Sequence, residues 1–213
     1  MIDVQKQQWL LYILPIVLLI SCALVFKWAA TAWGQKWGYF TGFLFYWLIW
    51  CIVVPVSLAG IKPLIELFHS KNVVWNGAII ACLLIPLVFV YAYAFPAALQ
   101  KATLTIVIFS LLLSIVNATL EEVLWRGTYL IIFQNQQWLF LLASSIGFAI
   151  WHYAPQVVFP NTRPGGTHSF VLFSFVLGFI FGWAAWKQHS LFWVTIAHIL
   201  FDFAGLGARL YFT

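Results

Sequence analysis

Six ionisable side chains interrupt otherwise apolar stretches of this sequence: Glu121, Glu122, Arg126, His152, His198 and Asp202. A carboxyl group withdrawn from water becomes a competent general base or acid near neutral pH. A histidine beside it can help to hold and activate a water molecule, and a second histidine can donate to a developing oxyanion. The same side chains could instead bind a metal ion. One acid, two histidines and a further acid therefore suit the attack of water on a carbonyl carbon.

The spacing of these residues divides them into pairs on helix faces. Glu122 and Arg126 are four residues apart with the acid first, which is the favourable order for an ion pair within a helix. Glu121 is rotated by ~100° from Glu122 and has no such partner. We therefore expect one structural ion pair beside one free carboxyl group, the alternative being a single buried ion network that fixes packing only. His198 and Asp202 are also four residues apart and share a face.

The composition places these groups in an integral membrane protein. The chain has 213 residues, of which 64% are hydrophobic and 7% are charged, whereas about a quarter are charged in soluble domains. The net charge of +5 is what lysines and arginines beside a membrane produce, and without a basic run or motif it does not indicate nucleic-acid binding. The three cysteines stand alone in apolar runs, which is typical of small buried residues.

Apolar runs of about 20 residues predict an all-α transmembrane bundle of seven spans. The predicted spans are approximately residues 9–33, 39–61, 73–99, 102–133, 138–153, 169–186 and 191–210. An eighth span would result if the fourth broke near the glutamate pair. The first run lacks a small-residue cleavage site, so we expect it to be retained as a span. The sixth contains Gly178 and Gly182, a GxxxG pattern that permits close packing of helices.

We expect one membrane domain over residues 1–213, with variable N-terminal spans in 1–101 and the catalytic core in 102–210. The turns at 134–137 and 187–190 serve as membrane edges from which depth is counted along the helices. Glu121, His152, His198 and Asp202 then lie ~15–26 Å deep. An ionisable residue at membrane depth costs on the order of 3 kcal/mol, so such residues are functional candidates by default. The similar depths allow a common site.

Three motifs, in this order on separate predicted helices, resemble the CPBP intramembrane protease family. That family includes the CAAX prenyl endopeptidases and proteins of bacteriocin processing and self-immunity. The motifs here are Glu121-Glu122 with Arg126 and Gly127, Phe148 with His152, and His198 with Asp202. Each motif alone is a weak signal, but three in order are a strong one. The resemblance covers about residues 102–205, and the first three spans give no specific signal.

The resemblance implies that Glu121 and His152 position and activate the water. It also implies that His198 and Asp202 stabilise the oxyanion, while Glu122 and Arg126 support the site. Where the prenyl endopeptidase branch has asparagine, this chain has Asp202. An ionised aspartate only accepts hydrogen bonds, so Asp202 must be protonated, orient His198 or bind a metal.

We therefore predict a multi-pass protein of a cell membrane that hydrolyses a peptide bond in a membrane-associated peptide or protein. Metal-independent glutamate chemistry without a cofactor is favoured, and Zn²⁺ held by Glu121, His152, His198 and Asp202 is the alternative. Two other functions compete with proteolysis. One is a non-enzymatic immunity or scaffold protein of the same family. The other is an ion-coupled transporter, whose typical inverted repeats and paired broken helices are not found in the sequence.

Overall fold

The computed structural model of the protein describes residues 3–69, 77–100, 102–162 and 164–212. The predicted all-α fold is confirmed, because the described residues form helices and turns without a strand. The helices are α1 Val4–Trp33, α2 Gln35–Ala59, α3 Ile61–Glu66, α4 Gly77–Tyr93, α5 Phe95–Leu99, α6 Leu104–Ile132, α7 Gln137–Trp151, α8 Gly166–Gln188, α9 Phe192–Ala204 and α10 Arg209–Phe212.

Five helical segments in the described residues are long and apolar enough to cross a membrane. They are α1, α2, α6, α8 and the segment Phe192–Phe212, which joins α9 to α10. The predicted spans at 73–99 and 138–153 correspond to α4, with 17 residues, and α7, with 15, both shorter than the ~20 residues that a span needs. Residues 73–76 lie outside the described part. The predicted count of seven to eight spans is therefore not confirmed.

The outward faces of these helices are apolar. Large side chains are more than half exposed on several of them, including Leu24 on α1, Val88 and Phe89 on α4 and Leu172 on α8. Contiguous apolar surface of this kind is rare in soluble monomers. It suits the hydrocarbon core of a bilayer, in which helices satisfy their backbone groups internally.

Two of the long helices widen locally into π-helix. The segments are Tyr46–Val53 in α2 and Val123–Thr128 in α6. The second begins directly after the glutamate pair, so α6 changes its winding there but does not break into two spans. The buried Trp125 Nε1 donates to Tyr46 Oη at 2.8 Å, which ties the two π segments together. Such π turns inside α-helices occur frequently at functional sites.

Small residues bring α7 and α8 close together. A Cβ atom added to Gly178 would lie 3.2 Å from Phe148 Cδ1 and 3.3 Å from Ser145 Cα, and one added to Gly182 would lie 3.3 Å from Leu141 Cδ2. The predicted packing role of this GxxxG pattern is thus confirmed. The contact positions Phe148 and the following turn of α7, which carries the second motif.

The chain leaves α7 at the end of the bundle where α1 turns into α2. His152 is the C-terminal cap of α7. In the loop that follows, the ring of Phe159 packs edge-on against Tyr39 of α2, with their centroids 5.1 Å apart. The second motif therefore ends at a junction between α7, the loop and the start of α2.

Replacing Gly178 with alanine should destabilise the protein. The added methyl group has to displace the backbone of α7 at Ser145, and overpacking of this kind typically costs about 1–3 kcal/mol. The control is Gly77→Ala at the first residue of α4, because Gly77 has nothing within 4 Å of its added Cβ. Thermal unfolding in detergent should show a lower midpoint for Gly178→Ala only. Equal midpoints for the two variants would contradict the close helix contact.

Candidate active site

The glutamate pair lies in the interior of the bundle. Glu121 is 2% exposed and Glu122 is 0% exposed, and Arg126 one turn later is 1% exposed. The two carboxyl groups have different partners, as expected from their rotation about the helix axis. Since an unpaired charge in such surroundings is costly, the contacts of each carboxyl group define the site.

Glu122 links two motifs through one oxygen atom. Its Oε1 lies 3.0 Å from Arg126 Nη1 and 2.7 Å from His198 Nδ1 on α9. The predicted ion pair within α6 is present, and the contact with His198 is an addition to it. A carboxylate only accepts, so Nδ1 of His198 carries a proton and donates. This leaves Nε2 of His198 facing the remaining acids.

Arg126 connects α6 to the helix pair α7 and α8. Its Nη2 donates to the carbonyl oxygen of Gly178 at 3.4 Å, and its guanidinium carbon lies 4.4 Å from the centre of the Phe148 ring. A cation over an aromatic face is attracted by the ring. Phe148, which was predicted as a supporting residue of the site together with Glu122 and Arg126, lies under the guanidinium of Arg126.

Glu121 is oriented by an aromatic pair that the sequence did not indicate. Its Oε1 accepts a hydrogen bond from Trp151 Nε1 at 2.9 Å. The indole of Trp151 stacks on Tyr46, with centroids 3.5 Å apart and planes inclined by 13°. Because the indole can only donate, Oε1 is engaged and Oε2 remains available. That second oxygen lies 3.6 Å from His198 Nε2.

His198 Nε2 stands between two carboxyl groups. It is 3.6 Å from Glu121 Oε2 and also 3.6 Å from Asp202 Oδ1. These distances are longer than direct hydrogen bonds, so His198 Nε2 is not directly hydrogen-bonded to either carboxyl group. Asp202 also accepts a hydrogen bond from Asn117 Nδ2 at 2.9 Å. Asn117 was not predicted, although its position one turn before Glu121 was a usable signal.

His152 lies at the end of α7, close to the end of the predicted span 138–153. Its Nδ1 is 2.7 Å from the carbonyl oxygen of Phe148. A carbonyl oxygen only accepts, so Nδ1 carries the proton and Nε2 is the acceptor in the neutral ring. The ring is thus held in the tautomer that a proton-accepting histidine needs.

A cavity brings the three motifs together. Its volume is about 330 Å³, and its lining includes Glu121, His152 and Asp202 with Asn117 beside them. His198, at 5% exposure, lies directly behind Glu121 and Asp202. A larger cavity of about 890 Å³ begins at the other end of α7 and is lined by none of the motif residues.

The donor set bears on the Zn²⁺ alternative. Within the described parts of the chain, no group of three or more His, Cys, Asp or Glu side chains is arranged so that it could hold a metal ion. Nδ1 of His152 and Nδ1 of His198 are engaged by protein acceptors, which leaves Nε2 as the open nitrogen of each ring. Metal-free chemistry stays a prediction, and the steps proposed below use no metal.

Replacing Arg126 with alanine should lower both the stability and the activity of the protein. Arg126→Ala leaves Glu122 buried without its guanidinium partner, and breaking a buried pair from one side costs about 3–5 kcal/mol. The double variant Glu122→Gln with Arg126→Met removes both charges and keeps an acceptor for His198. Thermal unfolding should rank the double variant above Arg126→Ala. If the double variant is no more stable, the assigned pairing is wrong.

The comparison with protein families agrees with this arrangement. Residues 102–204 match a family model described as Rce1-like, type II CAAX prenyl endopeptidase. The curated proteins and the solved structures gave no significant match. The matched segment runs from just before α6 to the end of α9 and contains all three motifs. The resemblance predicted from the motifs is confirmed: residues 102–204, just under half of the chain, are similar to the Rce1-like type II CAAX prenyl endopeptidases.

Proposed function

We propose that the protein is a glutamate-type intramembrane endopeptidase in which Glu121 and His152 activate a water molecule. The similarity of residues 102–204 to type II CAAX prenyl endopeptidases supports a protease of the CAAX type. The observation that carries the finer proposal is the shared cavity, into which Glu121, His152 and Asp202 project with His198 behind them. These residues come from α6, from the C-terminal end of α7 and from α9.

The proposed reaction begins with a water molecule between Glu121 Oε2 and His152 Nε2. Glu121 takes one proton from the water. At the same time the water oxygen bonds to the carbonyl carbon of the peptide, and the carbonyl oxygen becomes an oxyanion. His152 accepts a hydrogen bond and orients the water. Glu121 then returns the proton to the amide nitrogen as the carbon–nitrogen bond breaks. One water and one peptide bond give one carboxyl group and one amine.

The charge balance of the cluster supports these roles. Glu121, Glu122 and Asp202 lie around His198, and Glu122 also pairs with Arg126. With three carboxyl groups and one guanidinium, two further protons bring the buried cluster close to neutrality. One proton belongs on His198, which then donates from Nε2 as well as from Nδ1. The other is shared by Glu121 and Asp202. In the reactive form Asp202 carries it, Glu121 is the free base, and His198 Nε2–H faces the developing oxyanion.

The proposed substrate is a prenylated peptide or protein tail that reaches the site from the membrane. The family description names CAAX prenyl endopeptidases. The apolar outer faces of the helices are compatible with a lipid-modified substrate that is dissolved in the bilayer. The direct test is incubation of the purified protein in lipid vesicles with a farnesylated CAAX peptide, followed by mass spectrometry of the products. An intact peptide would instead favour the non-enzymatic alternative.

Glu121→Gln should abolish this cleavage while the protein still folds. Glutamine keeps the size of the side chain and can still accept from Trp151, but it is not a base. A general base typically contributes 10²–10⁴-fold in rate. The matched control is Glu66→Gln on the exposed face of α3, which should cleave at the wild-type rate. Retention of more than about a tenth of the rate by Glu121→Gln would remove Glu121 from this role.

Asp202→Asn should retain substantial activity, and the wild-type enzyme should resist chelators. Asparagine has the shape of a protonated aspartate, can accept from Asn117 and offers an N–H group to the oxyanion. A metal ligand would behave differently, because asparagine is a poor neutral ligand. Inactivation of the wild type by chelator, with recovery on adding stoichiometric Zn²⁺, would contradict the metal-free mechanism.

A further inference from the structure

Asn117 is a polar residue of the cavity that none of the proposed steps uses. It lies on α6 four residues before Glu121 and so on the same face of the helix. Its side-chain amide bridges two helices: Trp47 Nε1 on α2 donates to Oδ1 at 3.0 Å, and Nδ2 donates to Asp202 Oδ2 at 2.9 Å. The residue therefore joins the first half of the chain to the third motif.

The orientation of this amide follows from the chemistry of its neighbours. An indole N–H can only donate, so the atom that faces Trp47 is the oxygen of Asn117. The nitrogen consequently points to Asp202, whose Oδ2 accepts. Trp47 is 8% exposed and stacks obliquely on Phe43, with centroids 5.5 Å apart. A buried and packed indole thus holds the amide in one orientation.

Nδ2 of Asn117 has a second N–H beyond the one given to Asp202, and the described residues show no partner for it. Asn117 lines the 330 Å³ cavity and also a neighbouring one of about 200 Å³, and Asp202 lines both. Around the Asp202 carboxyl group, Asn117 Nδ2 approaches Oδ2 at 2.9 Å and His198 Nε2 approaches Oδ1 at 3.6 Å. Nitrogen donors therefore approach both oxygens of the Asp202 carboxyl group, and of these two donors Asn117 is the one that lines the cavities.

We propose that Asn117 is a catalytic residue that donates its second Nδ2–H to the oxyanion formed during peptide hydrolysis. Trp47 is its positioning residue. No bond is broken at Asn117: its hydrogen bond strengthens as the carbonyl oxygen gains charge and weakens when the carbon–nitrogen bond breaks. The inference rests on the proposed function, and it adds a donor from α6 to the His198 Nε2–H group that faces the oxyanion.

The first test is Asn117→Asp, which keeps the size and removes the donor. With the farnesylated CAAX peptide, kcat should fall by about 10²–10³-fold, the usual loss for one oxyanion donor, while KM changes little. The double variant Asn117→Asp with Asp202→Asn exchanges the donor and the acceptor of the pair. Its kcat should be at least about tenfold higher than that of Asn117→Asp alone. Asn135→Asp, on an exposed turn, adds the same charge and should have no effect.

A second test measures binding and needs no turnover. A phosphonate analogue of the peptide presents a tetrahedral anion, whereas a reduced-amide analogue presents no oxyanion. Asn117→Leu should weaken binding of the phosphonate by at least about tenfold and leave binding of the reduced amide unchanged. If Asn117→Leu does not fold, Trp47→Phe provides the comparison, because it releases the amide without changing Asn117.

The outcomes separate this inference from the proposed function. A wild type that cleaves the peptide while the Asn117→Asp variant cleaves it equally well overturns the inference and leaves the protease assignment standing. A wild type that does not cleave, but binds the phosphonate in a manner dependent on Asn117, supports the anion site and overturns the peptidase assignment. If the Asn117 and Trp47 variants bind the phosphonate and the reduced amide more weakly by the same factor, Asn117 has a purely structural role and the inference is overturned.

Discussion

The arrangement of the site depends on one buried carboxylate oxygen. Glu122 Oε1 contacts both Arg126 Nη1 and His198 Nδ1, and these two contacts to one oxygen join α6 to α9. Inside an apolar bundle the cost of burying a charge is met only by partners at close range. Arg126 must therefore remain against Glu122, and His198 must present Nδ1 to it. The orientation of His198 Nε2 towards Glu121 and Asp202 is a consequence.

Around this ionic centre the structure uses aromatic side chains in place of water. Tyr46 accepts from Trp125 and stacks on Trp151, which donates to Glu121. Rings of this size fill space and have few rotatable bonds, so they fix a polar group at small cost in conformational entropy. The π segments of α2 and α6 carry Tyr46 and Trp125, which places the altered helical winding next to the glutamate pair. The non-motif half of the chain thus helps to build the site.

The elements that were predictable from the sequence are those with a local pattern. Glu122 and Arg126 form their pair because a four-residue spacing already brings them together on one helix, and the close packing at Gly178 follows from the absence of a side chain. The contacts of Trp47 with Asn117 and of Trp151 with Glu121 join residues 70 and 30 positions apart, and no spacing rule connects such distant positions. The number of spans was not predictable either, since an apolar run of 15 residues and one of 20 differ little in composition. The roles of Glu121, His152, His198 and Asp202 in catalysis remain predictions.

The central claim is that a water molecule activated by Glu121 attacks the peptide carbonyl directly. A single turnover with enzyme in excess over farnesylated CAAX peptide, carried out in H₂¹⁸O, tests it. Direct attack places one ¹⁸O atom in the new carboxyl group of the product and none in the enzyme. Formation of a covalent anhydride at Glu121, followed by attack of water on the Cδ atom of Glu121, would instead place the first ¹⁸O atom in the side chain of Glu121. Mass spectrometry of both the product and the enzyme peptide that contains Glu121 should find the label in the product, and label in Glu121 would contradict the account.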